Sequence, residues 1–240
     1  MMLEIPLQGD TGAMTHLNVP GSDAAKDLDG DRQLAVQILT TEQFVLQSAR
    51  SAASAESSSR STLFMTVLSA TLVALALAAQ VVTTHRLLPL ALVGLALDFF
   101  LGLVTFMRVL ENGIEDYLYV KEMNRIRNFY TTVAPETAPY FVLSSHDDPM
   151  GIHQSMGMRL TWSQGLLTSA SSILVINSAI GAVFCGVAVY SVTGEAIPAI
   201  AAGAVVGIGL GGILYRHLRR GWQQAEEDAP PRFPTPEPTH

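Results

Sequence analysis

The 240-residue sequence contains a single cysteine, Cys185, and only 15% of its residues are charged. One cysteine cannot form an intramolecular disulfide, so nothing in the sequence indicates an oxidising compartment. The charged fraction is well below the roughly 25% of a typical soluble domain. The 14 Lys and Arg residues leave no basic surface of the size that nucleic-acid binding requires. These shortages argue against a soluble, disulfide-stabilised or nucleic-acid-binding protein.

Sequence motifs of common enzymes are also missing. The chain has no Walker loop, no GxSxG elbow and no HEXXH helix. We therefore predict no catalytic residue and no cofactor. The N-terminal stretch MMLEIPLQGDTGAMTHLNVPGSD has neither a basic n-region nor an apolar h-region. We expect no signal peptide, and the first membrane helix should drive insertion.

Apolar residues make up 49% of the chain and gather in four long runs. The predicted spans are residues 61–82, 87–107, 166–189 and 196–215. Each is close to the roughly 20 residues that cross about 30 Å of hydrocarbon, and such segments must be helical in lipid. The predicted fold class is therefore all-α, a polytopic four-helix transmembrane bundle with cytoplasmic helical extensions.

The basic residues are distributed very unevenly about these spans. The predicted turns, at His85-Arg86 and at residues 191–195, contain one basic residue, Arg86, and the other 13 lie on the opposite side. Because loops rich in Lys and Arg stay in the cytoplasm, we predict that both termini and the central loop are cytoplasmic.

The spans divide the rest of the chain into segments. A capping box formed by Thr40 and Gln43 predicts a helix start near Thr40. The predicted segments are a flexible N-terminal tail (1–38), a cytoplasmic helix leading into span one (39–60), the first transmembrane hairpin (61–107), a cytoplasmic helix and loop (108–163), the second hairpin (164–215) and a basic anchor with a Pro-rich disordered tail (216–240).

The helix after span two carries an apolar stripe at helical spacing, formed by Tyr119, Met123, Ile126 and Tyr130. The stripe predicts contact with more than solvent. The strings RVLENGIEDYLY, NRIRNFY and YFVLSSHDD resemble those of an uncharacterised family of bacterial four-span integral membrane proteins. The resemblance implies the four-span topology only, and it implies no function. We predict that the protein lies in the cytoplasmic (inner) membrane of a bacterium.

Asp98 lies near the middle of span two, and Asn177 lies at a matching depth in span three. An acid at the centre of a membrane helix costs about 2.5–3.5 kcal/mol on insertion scales, so Asp98 should face protein or water. We expect Asp98 and Asn177 to lie within hydrogen-bonding reach, with Ser69 or Thr71 of span one as a third member. Either the cluster handles a proton or an ion, or a protonated Asp98 holds two helices together.

Small residues recur at every fourth position of span four, at Ala199, Gly203, Gly207 and Gly211. This spacing lets helix backbones approach closely, as in GxxxG interfaces. Span three offers a matching strip in Ser178, Ala182 and Gly186. The ladder therefore predicts close packing of spans three and four in one chain, or an oligomer interface.

Two further groups concern metals and lipids. The central loop contains His146, Asp147, Asp148 and His153, which are weak candidates for metal ligands because no cysteine and no second cluster joins them. Asp147-Asp148-Pro149 is also a good turn sequence, and we predict no metal. After span four, basic and aromatic side chains predict an anchor for anionic lipid headgroups: Arg216, Arg219, Arg220 and Trp222.

Three functional hypotheses follow. The preferred one is a non-enzymatic, self-associating membrane module, a homo-oligomer that forms a pore or a pathway for small solutes. The second is a membrane anchor or scaffold whose cytoplasmic helices dock a soluble protein partner. The third is a membrane enzyme or metal-binding protein that uses the loop at 146–153. None of them involves nucleic acid.

Overall fold

The computed structural model describes residues 22–157 and 168–236. Its elements are α1 (Ser22–Val81), α2 (Thr84–Val133), a 3₁₀ helix (Pro135–Tyr140), α3 (Pro149–Ser155), α4 (Ser169–Thr193) and α5 (Ala196–Asp228). The described residues contain no strand, and α1, α2, α4 and α5 are long and apolar enough to cross a membrane. The predicted all-α fold class with four such helices is therefore confirmed.

The chain forms two compact units, residues 1–41 and residues 42–240. In the first unit the described residues, 22–41, are helical, and Leu34 and Ile38 are exposed. The second unit contains the rest of α1 and every other element. All sites considered below lie in the second unit.

Helix α1 begins at Ser22, so the predicted helix start near Thr40 is wrong. The Thr40 hydroxyl caps no helix, because it donates a hydrogen bond to the carbonyl oxygen of Val36 one turn earlier. Ser and Thr in the interior of a helix can bond back in this way, so a cap-like sequence alone does not mark a helix end. The part of the predicted flexible tail from 22 to 38 is helical, and its residues 1–21 lie outside the described residues.

Two short turns join the long helices in pairs. The first turn consists of Val82 and Thr83, and His85 and Arg86 already belong to the first turn of α2. The predicted turn at His85-Arg86 is therefore three residues too late. In the second turn Gly194 has φ +70°, the left-handed conformation with which glycine commonly ends a helix.

Neighbouring long helices pack antiparallel, and one apolar core joins all four of them. Phe64 of α1, Phe106 of α2, Ile173 of α4 and Leu214 of α5 are buried together in it. Close approach of α2 to α4 occurs at Gly102, where an added Cβ would lie 2.8 Å from the amide carbon of Asn177. Large apolar side chains in the shared core and a small residue at the crossing of α2 and α4 thus hold the bundle together.

Beyond span two, α2 continues to Val133, and its buried face supports the central loop. Asn124 is fully buried on this face: its amide donates to the His146 carbonyl oxygen, and its side-chain oxygen accepts from Arg127 and Ser155. The predicted stripe on this helix is partly internal, because Met123 and Ile126 are buried within the chain.

The central loop has local structure that the sequence analysis did not predict. Helix α3 begins at Pro149, and the Asp148 carboxylate caps it by accepting from the amide of Gly151. An N-cap aspartate followed by proline at the first helical position is a recognised helix-start signal. The central loop is therefore bonded to α2 at His146, and its short helix is capped at Asp148.

Candidate functional site

The intramembrane acid Asp98 is buried inside the bundle, with 1% of its surface exposed. The hydroxyl of Thr71 on α1 donates a hydrogen bond to its Oδ1 at 3.1 Å. Of the two predicted third members, Thr71 is therefore the one in contact, while Ser69 is exposed on α1. The second oxygen, Oδ2, has no hydrogen-bond partner among the described residues.

Asn177 is also fully buried, yet the predicted hydrogen bond to Asp98 is not formed. Neither its side-chain oxygen nor its side-chain nitrogen has a hydrogen-bond partner among the described residues. The amide lies instead against Gly102, one helical turn further along α2 from Asp98. A contact between the two side chains depends on where each one points around its helix.

The small-residue ladder of α5 packs against α4 of the same chain. An added Cβ at Gly203 would lie 2.7 Å from the carbonyl oxygen of Ala182, and one at Gly207 would lie 2.9 Å from the Cβ of Ala182. At Gly211 the neighbour is the Ser178 hydroxyl, at 3.5 Å. Ala199 is buried, and its carbonyl oxygen approaches Gly186 of α4. The ladder is thus occupied by the intrachain α4–α5 contact.

The residues of the predicted lipid anchor do not share one face of α5. Arg216, Arg219 and Arg220 are exposed on the part of α5 that follows span four. Trp222 instead points into the protein, where its ring packs edge-on against Tyr117 with 5.4 Å between the ring centroids. Only the arginines are therefore placed to meet lipid headgroups.

The loop residues proposed as weak metal candidates hold the C-terminal tail. Asp147 is fully buried, and its carboxylate accepts hydrogen bonds from the Arg125 guanidinium at 2.7 Å and from the backbone amides of Arg232 and Phe233. In return the Asp147 amide donates to the Phe233 carbonyl oxygen, and Thr235 donates to Asp148. We call this set of contacts the tail latch.

The tail latch corrects the expectation of a disordered C-terminal tail. The tail is not disordered up to residue 236, because the buried Asp147 carboxylate fixes its backbone amides. His153 contacts the carbonyl oxygen of Pro149 within its own helix. No group of three or more His, Cys, Asp or Glu side chains among the described residues could hold a metal ion.

Electrostatics agree with this structural role. Burial raises the pKa of Asp147, but the hydrogen bonds from Arg232, Arg125 and Phe233 outweigh it, so the pKa lies below its ordinary value. Burial lowers the pKa of the neighbouring Lys121 ammonium, and the charge of Asp147 acts in the opposite direction. Charge-assisted hydrogen bonds to an ionised carboxylate are among the stronger polar contacts in proteins.

One extended surface on α1, which we call the α1 seam, was not predicted from the sequence. Its members are uncharged, exposed and spaced alternately by three and four residues: Val45, Ser48, Ala52, Ala55, Ser59, Thr62, Thr66, Ser69, Val73 and Ala76. The opposite face of α1 carries the buried residues Leu46, Ala53 and Phe64. Alternating spacing of this kind is the heptad pattern of helix association, and it is legible in the sequence.

Comparisons of the chain with protein-family models, with curated proteins and with solved structures find no match.

Proposed function

We propose that the protein is a non-enzymatic membrane module that self-associates through the α1 seam and forms a pathway for small solutes. The seam is the observation that carries this proposal. It is exposed over its whole length and contains no charged residue, and it runs from the cytoplasmic part of α1 into predicted span one. Helices that present such faces associate in water and in membranes.

Each part of the seam has a physical reason to be covered. In the cytoplasmic part Val45 is 55% exposed, and burying it against a second copy removes apolar surface from water. In the span, the hydroxyls of Thr62 and Ser69 face outward, where lipid tails offer no hydrogen-bond partner, while the exposed Thr66 hydroxyl donates to the carbonyl oxygen of Thr62 one turn earlier. An interhelical hydrogen bond in a membrane contributes about 0.6–2 kcal/mol.

The same hydroxyls supply the lining of the pathway. When three or more parallel copies of α1 associate, their seams face a shared axis. Ser59, Thr62, Thr66 and Ser69 would then surround that axis with small polar side chains. Asp98 points to the other side of α1, towards Thr71, so the acid would not lie on the pathway.

The proposal also includes the membrane in which the protein lies and the side on which its termini lie. The 13-to-1 distribution of Lys and Arg supports cytoplasmic N- and C-termini. We place the protein in the cytoplasmic membrane of a bacterium, with the exposed arginines of α5 against anionic headgroups. Each such arginine would contribute about 1 kcal/mol of attraction.

Crosslinking tests the association. Single cysteines at Thr66 and Ile208 are introduced in a Cys185→Ser background, because Cys185 is the only native cysteine. Thr66 lies on the seam, whereas Ile208 lies on α5 and is 78% exposed. Thr66→Cys should give disulfide-linked oligomers in membranes, and Ile208→Cys should not. Equal crosslinking at the two positions would show that the seam is not the interface.

Flux through liposomes tests the pathway separately. The double variant Thr62→Val, Thr66→Val keeps the side-chain shape and removes both hydroxyls. We expect its crosslinking at Ser69→Cys to weaken but persist, because the remaining small and apolar residues of the seam still pack, while release of a small polar dye falls. If wild-type liposomes release no more dye than empty ones, the pathway is refuted and the association stands on the crosslinking result.

One observation favours the scaffold as a second candidate. After the 3₁₀ helix the chain exposes consecutive apolar residues, and Tyr140 and Val142 are 84% and 90% exposed. Exposed apolar patches of this kind often mark protein interfaces. A Tyr140→Ser, Val142→Ser variant that crosslinks normally at the seam but loses activity would support docking of a cytoplasmic protein. Unchanged activity would exclude it.

A further inference from the structure

We propose that a cavity at the cytoplasmic ends of the spans binds an amphiphilic monocation, a ligand with an ammonium head and an apolar chain. The cavity has a volume of about 420 Å³ and lies between α2, α3, the first turn of α4 and α5. Volumes of this size are typical of small-molecule sites. The inference does not depend on the α1 seam or on a solute pathway.

The inner end of the cavity is apolar. It is lined by Val109 and Leu110 of α2, Ala170 of α4 and Leu218 of α5. With a rise of about 1.5 Å per residue, Val109 and Leu218 lie about 3–5 Å beyond the ends of predicted spans two and four. An apolar ligand chain at this end would be level with the boundary of the hydrocarbon.

The outer end is acidic and aromatic. Asp116 and Glu226 lie about 13–17 Å beyond the same span ends, on the same helical rise. Tyr117 and Trp222 form an edge-on aromatic pair on the cavity wall. Carboxylates and aromatic faces together are the groups that recognise ammonium ions. The cavity thus changes from apolar to cation-attracting along one direction.

The two carboxylates are not equivalent. Asp116 is paired with Arg50 of α1 at 2.7 Å, so its charge is already balanced. Glu226 has no ion-pair partner within the described residues, and its contact is the Tyr117 hydroxyl at 3.5 Å. Burial and then the charge of Glu226 raise the pKa of Tyr117 to about 12, so this hydroxyl stays a neutral donor. Glu226 is therefore the carboxylate available to an ammonium group.

Other nearby groups limit the ligand to one positive charge. The Lys121 ammonium lies 6.0 Å from the centre of the Tyr117 ring, and His153 lies at the cavity rim. A second charge on the ligand would meet Lys121 across the aromatic ring without a further free carboxylate. One ammonium beside Glu226, with an apolar chain directed towards Leu110, uses the cavity from end to end.

The test compares three probes of equal chain length: octylammonium, octanol and octanoate. Trp222 reports binding by fluorescence in a Trp162→Phe background, since the chain has two tryptophans. In lipid nanodiscs octylammonium should bind at least about fivefold more tightly than octanol, and octanoate more weakly than both. Glu226→Gln should remove this preference, whereas the neighbouring exposed Glu227→Gln should keep it.

A variant that fills the cavity distinguishes binding of the probe in the cavity from partition of the probe into lipid. Gly113 lines the cavity, and an added Cβ there would lie 3.9 Å from the Trp222 ring, an ordinary contact. Gly113→Leu should therefore fold with a wild-type melting temperature and lose the response to all three probes. Equal affinities for the three probes, or an octylammonium preference that survives Glu226→Gln, would overturn the proposal.

Discussion

Alanine at Gly203 should destabilise the protein relative to alanine at Gly209, although both glycines lie within α5. A Cβ at Gly203 would lie 2.7 Å from the carbonyl oxygen of Ala182, whereas a Cβ at Gly209 would meet nothing within 4 Å. The obstructing atom belongs to the backbone of α4, so no side-chain rotation can relieve the contact. The two helices must move apart instead.

The comparison isolates the cost of that movement. Both substitutions gain the same helix propensity, about 1 kcal/mol for glycine to alanine in a helix interior, so this contribution cancels. Overpacking a well-packed contact typically costs about 1–3 kcal/mol. A change of 1 kcal/mol shifts the melting temperature of a chain of this size by about 2–4 °C, so Gly203→Ala should melt about 2–12 °C below Gly209→Ala.

Thermal unfolding in detergent, followed by circular dichroism, measures this difference. Gly207→Leu is the stronger form of the same test, because its Cβ would already lie 2.9 Å from Ala182. Ile208→Leu, at a position that is 78% exposed, should be tolerated. Equal melting temperatures for Gly203→Ala and Gly209→Ala would show that the α4–α5 contact at this depth is not close, and the packing argument would fail.

Three further predictions concern other parts of the molecule. Asp98→Asn should fold at least as stably as wild type and keep its activity in the flux assay, since Thr71 can donate to the amide oxygen; a folded but inert variant would assign Asp98 a proton or ion. Asp147→Ala should increase trypsin cleavage after Arg232 about tenfold or more at pH 7, because charge-assisted hydrogen bonds are lost. The folded-state pKa of Asp147 is depressed, so the attachment of the tail is complete above the ordinary pKa of about 3.9 and is lost as pH falls from there through the lower folded-state pKa; equal cleavage of Asp147→Ala and wild type at pH 7 would refute the latch. Cysteines at Thr84 and Thr193 should react with impermeant thiol reagents in intact cells, and labelling of residue 140 from outside would reverse the proposed topology.

The four membrane-length helices could be predicted from the sequence because hydropathy is a local property of each segment. Predicted span one ends within one residue of the end of α1 at Val81, and predicted span four begins with α5 at Ala196. The start of α1 could not be predicted from a cap pattern, since the Thr40 hydroxyl has an alternative acceptor in its own helix. Helix extent outside the membrane depends on propensity summed over many residues.

The candidate sites depend on rotation about helix axes and on contacts distant in sequence. Depth alone could not reveal that Asp98 turns towards Thr71 while Asn177 turns towards Gly102. The tail latch joins Asp147 to an amide 85 residues away, and a Pro-rich composition carries no record of such a partner. The α1 seam is different, because its heptad spacing is written in the sequence and only its exposure required the structure.

The contrast between α1 and the second hairpin explains why association is assigned to α1. The small-residue ladder of α5 is occupied by α4, so it offers no interface to a second copy. The outward residues of that hairpin are typical lipid-facing side chains, such as Val175 and Ile208. Helix α1 instead directs Thr71 inward to Asp98 and presents hydroxyls such as those of Thr62 and Ser69 outward. A helix that only anchored the chain would gain nothing from hydroxyls facing lipid, whereas a helix that meets its own copies gains an interhelical hydrogen-bond partner.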